Sequence, residues 1–301
     1  MIPEIDFKAL LARDKDTLLK VRDACRDIGF LTLSNTSFSD DEVVQALQAY
    51  RKFFKSSDIN KQNVDMSQTG SNKGWGAPKS EQVDPDSNPD FKEVFDCGVE
   101  VSKDDPQAHL SVYAANQWPS EPEDFQKTIE SYFSKARLVA LELLRGISDA
   151  IEADTDFFAD KFYKPMALLR GNFYPERPND ATDKDFGIAP HTDYGCLTLL
   201  ATDGQPGLEV QILEGQWIPV AAEPGTFIVN FGEMLEMWTD KKIRATNHRV
   251  VGGTNERISI PLFFNPNYDT NVAAKNAESI SAGEYLSKRY NETYAHLQDK
   301  A

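Results

Sequence analysis

Apolar positions keep a clear period along most of the chain, with one polar gap and one change of texture near residue 166. Residues 2–7 read as a short strand, and Leu18, Val21, Cys25 and Ile28 fall at helical spacing across residues 15–28 until Gly29 stops the helix. Residues 30–33 are strand-like. Ser39, with Glu42 three residues later, forms a capping box for a helix carrying Val43, Leu47, Tyr50 and Phe54. Residues 56–90 are polar, hold Gly70, Gly74, Gly76, Pro78, Pro85 and Pro89, and show no sustained period. They predict a long functional or mobile loop in which Trp75 either packs on the core or lines a pocket. Residues 91–101 return to a strand pattern. The longest helical stripe runs over residues 123–153, through Phe125, Ile129, Phe133, Ala136, Ala140, Leu144, Ile147 and Ile151. About 30 helical residues span about 45 Å, enough to brace one side of a barrel.

From residue 166 the texture becomes short β-prone runs between turn residues: 166–174, 196–202, 207–213, 216–220, 225–230, 247–252 and 257–264. Seven short strands at this spacing predict a β-sandwich or jelly roll. Glu214-Gly215 reads as a tight hairpin turn, residues 232–238 as a short helical insertion, and residues 282–297 as a closing amphipathic helix. The expected class is α+β with a mainly β core: a jelly roll flanked by helices, one of them a long brace. We expect a single domain over residues 1–301, with an N-terminal segment (1–120), the helical brace (121–165), the jelly-roll core (166–265) and a helical tail (266–301). The chain shows no internal repeat and no low-complexity segment.

Composition narrows the function classes. A chain of 301 residues buries roughly 75% of its unfolded surface, so a sizeable core is available. No run of 18 apolar residues predicts a membrane span, and the first residues lack the basic and apolar regions of a secretory signal, so the cytoplasm is expected. Cys25, Cys97 and Cys196 are widely spaced and read as reduced, buried thiols. The 48 acidic against 32 basic residues give a net charge of −16, which repels a phosphate backbone and argues against nucleic acid as a partner. Nothing in the pattern sets an oligomeric state.

The candidate chemistry sits at His191-Thr192-Asp193 and His248. A His two residues from an Asp is by itself compatible with a solvated surface pair. Here it lies at the start of a β-run, and a second His stands on another predicted strand. Two imidazoles and a carboxylate on one face of a metal, with the other face open, make the ligand set of non-haem Fe(II) oxygenases. His109 and His296 are expected to be structural or solvent-facing. Arg257 and Ser259 share one strand face and together form a receptor for a carboxylate. The residues alone leave open a carboxylate-binding jelly roll without catalysis; a zinc hydrolase is disfavoured because no general base stands beside the motif.

His191-Thr192-Asp193, Asn247-His248-Arg249-Val250 and Arg257-Ile258-Ser259-Ile260-Pro261 resemble the isopenicillin N synthase-like family of Fe(II)/2-oxoglutarate-dependent dioxygenases. The resemblance covers nearly the whole chain. Residues 24–35 are similar to that family's N-terminal segment, 207–211 with 215–220 to its central hairpin, and 224–235 to the strand and short helix before its distal His. It implies a double-stranded β-helix core in which His191, Asp193 and His248 bind Fe(II). It implies also that Arg257 and Ser259 hold the distal carboxylate of 2-oxoglutarate, with Asn172 and Tyr174 of an Asn-x-Tyr-Pro strand adding hydrogen bonds. The implied reaction consumes O2, with ascorbate as a reductant, and hydroxylates, desaturates or cyclises a small-molecule substrate with release of succinate and CO2. An Fe(II) oxidase that dispenses with 2-oxoglutarate could use the same Arg-x-Ser pair. Asp240-Lys241-Lys242-Ile243 departs from the family's frequent Asn-Gly turn, and residues 60–110 and 265–301 match no member closely enough to name a substrate.

Overall fold

The computed structural model describes residues 2–153, 157–182, 184–212 and 215–293. In chain order its first elements are β1 (Glu4–Asp6), α1 (Phe7–Leu11), α2 (Lys15–Asp23), β2 (Phe30–Ser34), α3 (Asp40–Phe54), α4 (Asp58–Gln62), α5 (Met66–Thr69), β3 (Gly74–Gly76) and β4 (Glu93–Gly98). The long α6 (Phe125–Ala150) leads into β5 (Pro165–Tyr174), β6 (Ile188–His191), β7 (Leu197–Thr202), β8 (Leu208–Gln211), β9 (Trp217–Pro219) and β10 (Phe227–Phe231). The chain continues through α7 (Glu233–Trp238), β11 (His248–Val250), β12 (Arg257–Asn267) and α8 (Ala282–Thr293).

The strands form two sheets. One has eight strands in the order β1-β2-β10-β7-β12-β5-β4-β3, and the other four in the order β6-β11-β8-β9. This is the sheet-rich jelly roll with helices that the strand spacing predicts. Alternation sorts the sheet's two faces. Along β5, Leu169 and Phe173 face the main core with the helices, whereas Arg170, Asn172 and Tyr174 line the cavity between the sheets. Gly171 lies on the helix-facing side, where a Cβ would meet the Tyr50 ring of α3 at 2.2 Å, so only a glycine admits that close approach. The predicted stripe of α6 is buried from Phe125 to Ile147, and its 26 residues span about 39 Å.

Local signals explain the element ends. Ser39 accepts from the Glu42 backbone and the Glu42 side chain returns to the Ser39 N–H, so the predicted capping box starts α3. Asp6 caps α1 from its side chain, which is why the first strand stops at Asp6 and Phe7 begins a helix instead of ending the strand. The helix from Lys15 widens into a π-turn over Ala24–Ile28 before Gly29, at φ 71°, ends it. Asp240 and Lys241 both take positive φ, the conformation an Asn-Gly turn adopts readily, so the departure in sequence keeps the backbone path.

Residues 56–90 correct the loop expectation: they hold α4, α5 and β3. Trp75 belongs to the core, 8% exposed, its indole N–H donating to Glu93 at 2.8 Å. Strand β6 is an element the periodicity misses. It is four residues long, contains Pro190, and lies at an edge of its sheet, where a residue without an N–H is tolerated. Residues 208–211 and 217–219 pair as the predicted hairpin, although Leu213 and Glu214 of its turn lie outside the described residues. So do the end of the predicted closing helix and His296. The three cysteines are buried and free. No helix among the described residues is long and apolar enough to cross a membrane.

Candidate metal and co-substrate site

His191 ends β6 and His248 begins β11, and the two are direct partners in the antiparallel ladder. Their rings lie 4.3 Å apart, centroid to centroid. Asp193 follows two residues after His191, and its Oδ1 stands 3.8 Å from His191 Nε2 and 3.7 Å from His248 Nε2. One donor atom from each residue falls within 4.8 Å of the others, a group of three able to hold a metal ion among the described residues.

Each donor is oriented from behind. His191 Nδ1 lies 2.8 Å from the Ala189 carbonyl and His248 Nδ1 3.0 Å from the Thr246 carbonyl. A carbonyl only accepts, so both Nδ1 atoms carry the proton and both Nε2 lone pairs point at the shared centre. The other oxygen of Asp193 accepts from Thr198 Oγ1 and, at 2.7 Å, from Asn230 Nδ2. Burial pulls the His191 imidazole well below its ordinary range, which keeps it neutral, the form that can bind a metal. Burial opposes ionisation of Asp193, but the Thr198 and Asn230 donors to its Oδ2 favour the carboxylate, and the carboxyl is held below its usual value. The loop carrying Asp193 is pinned by Glu233 N–H donating to the Asp193 carbonyl at 2.8 Å and by Thr192 Oγ1 donating to Glu233 at 2.5 Å. Gly232 makes this seating possible: a Cβ there would meet the Gly195 carbonyl at 2.3 Å.

The predicted carboxylate receptor lies in the same cavity. Arg257 pairs with Tyr174, and Ser259 with Asn172, across β12 and β5. The Arg257 guanidinium sits 5.1 Å over the Tyr174 ring and its Nε donates to the Gln205 carbonyl at 3.3 Å. Its Nη1 is buried with no hydrogen-bond partner among the described residues, as is Asn172 Oδ1. A buried guanidinium nitrogen without an acceptor is costly unless a ligand supplies one. His109, by contrast, is exposed and away from this site.

Sequence reasoning missed a second polar group in this cavity. Glu81, Lys92 and Arg170 line it, with Asp90 and Asp96 behind them. Arg170 holds Asp96 through Nε and Nη2 at 2.8 and 2.7 Å, and Glu81 through Nη1 and Nη2 at 3.0 and 2.9 Å. Lys92 Nζ reaches Glu81 at 2.9 Å and Asp90 at 2.7 Å. Burial presses the Glu81 carboxyl upward, but Arg170 and Lys92 overcome it and hold it down to about 2. Glu81 and Asp90 fall in the polar stretch that reads as loop, and nothing local marks them as buried.

Two family models match the chain: the non-haem dioxygenase in morphine synthesis N-terminal region over residues 2–121, and the 2OG-Fe(II) oxygenase superfamily over residues 165–266. A homoarginine-6-hydroxylase of Glycine max is 30% identical over 90% of this chain and 87% of its own. A 2-oxoglutarate-Fe(II) type oxidoreductase of Emericella nidulans is 28% identical over 89% of this chain and 80% of its own. Among solved structures, a full-length Neurospora crassa protein in complex with alpha-KG and thymine aligns with a TM-score of 0.84 at 28% identity, covering 97% of this chain and 96% of that one. JOX2 in complex with 2OG, Fe and JA aligns with a TM-score of 0.81 at 25% identity, covering 95% and 84%.

Proposed function

The chain belongs to the 2OG-Fe(II) oxygenase superfamily, in its isopenicillin N synthase-like branch, and from that premise we propose which residues carry the reaction and on what class of molecule. The protein is a non-haem Fe(II)- and 2-oxoglutarate-dependent dioxygenase. His191, Asp193 and His248 hold the metal through Nε2, Oδ1 and Nε2. Arg257 and Ser259, aided by Asn172 and Tyr174, take the distal carboxylate of 2-oxoglutarate. The observation that carries this assignment is the buried Nη1 of Arg257, without a partner among the described residues and in the cavity of the ligand triad. It calls for a carboxylate at that position, and the match to 2-oxoglutarate-dependent relatives and to a neighbour holding alpha-KG supports 2-oxoglutarate over the substrate carboxylate of an oxidase.

Bound together, Fe(II) and 2-oxoglutarate supply the oxidising chemistry: O2 is reduced, the keto acid leaves as succinate and CO2, and a C–H bond of the substrate is oxidised. The protein contributes position and exclusion. Thr198 and Asn230 keep one Asp193 oxygen occupied so that the other faces the metal. Arg257 meets a carboxylate as a planar fork while the Tyr174 ring covers its face. Phe30, edge-on to His248 at 5.4 Å, keeps water from that ligand's flank. The cavity is lined by the ligand triad and by Arg257, Ser259, Asn172 and Tyr174 together, so metal and co-substrate would share one space. The relatives named for homoarginine and the neighbour bound to thymine make such small nitrogenous molecules the first substrates to test.

Pyruvate keeps the keto acid and lacks the distal carboxylate, so it provides the test. Wild type should consume O2 with 2-oxoglutarate and not with pyruvate, and Arg257→Ala should lose most of that discrimination. A variant that still distinguishes the two as sharply as wild type would refute the role given to Arg257.

A further inference from the structure

Resting on the oxygenase reading above, we propose that the Glu81–Arg170 pair is the recognition site for a positively charged group on the oxidised substrate: a protonated amine, amidine or guanidinium. The pair lies on the same wall as the co-substrate receptor. Asn172 and Arg170 are two residues apart on β5 and both line the cavity, which places Arg170 roughly 7 Å further along the strand. Arg170 is opposite Asp96 in the ladder with β4, so its charge is fixed by the sheet and not by a flexible loop. Glu81 and Arg170 side chains are each 10% exposed, against 3% or less for Lys92, Asp90 and Asp96, so these two present the cluster to a ligand.

Charge decides what they accept. Among the described residues the Glu81, Asp90 and Asp96 side chains meet only donors, so each is read as the carboxylate. Three carboxylates against the two cations Lys92 and Arg170 leave one net negative charge. At the other end, a doubly charged Fe(II) and Arg257 balance Asp193 and the two carboxylates of 2-oxoglutarate. The loaded cavity therefore keeps one uncompensated negative charge in a low-dielectric interior. An anionic substrate would double it, and a cationic one would cancel it. Hydrogen bonding allows it: Glu81 Oε1, at the more exposed end of the cluster, receives one donor among the described residues and retains a second acceptor site. Beyond the pair, Leu168 and Phe263 give the apolar wall along which an alkyl stem can lie with its carbon near the ligand triad.

Calorimetry on the protein loaded anaerobically with Fe(II) and 2-oxoglutarate tests this, using four probes of similar length: butylguanidinium, pentylammonium, pentanamide and pentanoate. The two cations should bind at least ten-fold more tightly than the amide, and pentanoate most weakly. In Glu81→Gln, checked for folding by its thermal unfolding, the preference should fall by about ten-fold or more. If that variant does not fold, the wild-type charge series decides alone. Equal affinities, no binding by any probe, stronger binding of pentanoate, or an unchanged preference in a folded Glu81→Gln would overturn the proposal while leaving the oxygenase assignment intact. Failure of the protein to take up Fe(II) and 2-oxoglutarate in the loading step would instead overturn both.

Discussion

The two ends of the cavity satisfy their polar groups in opposite ways. Around Glu81, Lys92 and Arg170 each charge meets its partners within the chain, at distances of 2.7–3.0 Å. Around Arg257 and Asn172, buried atoms are left without a partner among the described residues. A network of paired charges holds its own shape before anything binds, whereas a buried donor without an acceptor costs stability until a ligand completes it. The first end is thus a preorganised wall, and the second fits the proposed seat for 2-oxoglutarate.

Substitutions at four places would break or sharpen this contrast. The largest effect belongs to the ligand triad: Asp193→Ala or His191→Ala should abolish 2-oxoglutarate-dependent O2 uptake. Bound iron, measured after gel filtration, should fall by more than the roughly 100-fold that loss of an outer partner causes. Next, Glu81→Ala should destabilise the fold by roughly 3–5 kcal/mol in denaturant titration, because it leaves Arg170 and Lys92 short of a counter-charge in a buried site. Arg257→Met should behave the other way. Removing a guanidinium whose buried Nη1 lacks an acceptor among the described residues should leave unfolding stability unchanged or higher, while the KM for 2-oxoglutarate rises roughly 10- to 100-fold. A large loss of stability in Arg257→Met, or none in Glu81→Ala, would erase the distinction between the two ends. The smallest effect is expected for Asn230→Ala, which frees one Asp193 oxygen and should weaken iron binding about 10-fold with the fold retained.

How far the sequence discloses this design depends on whether a feature is local. The α3 cap, the α6 stripe and the alternating β-runs are encoded within a few turns or residues, and they lie close to where the pattern puts them. The triad stood out because two of only four His fall at ligand positions around Asp193, and Arg257-x-Ser259 because residues two apart on a strand share a face. What stayed hidden depends on distant pairing. Thr198 and Asn230 look like ordinary strand residues until β7 and β10 bring them to Asp193. Glu81 and Asp90 read as polar loop because their burial rests on Arg170, 89 residues beyond Glu81, and on Lys92. Strand β6 was lost because four residues with a Pro carry too little pattern, although its ladder with β11 is what sets His191 against His248.

The central claim is that one cavity holds Fe(II) on His191, Asp193 and His248 and seats 2-oxoglutarate beside it on Arg257. Anaerobic titration of the iron-loaded protein with 2-oxoglutarate, followed by visible absorption, measures this directly. The account predicts a metal-to-ligand charge-transfer band that saturates at one co-substrate per iron, needs a higher 2-oxoglutarate concentration in Arg257→Met, and is absent in Asp193→Ala. A band that saturates at the same concentration in Arg257→Met, or persists in Asp193→Ala, would contradict it.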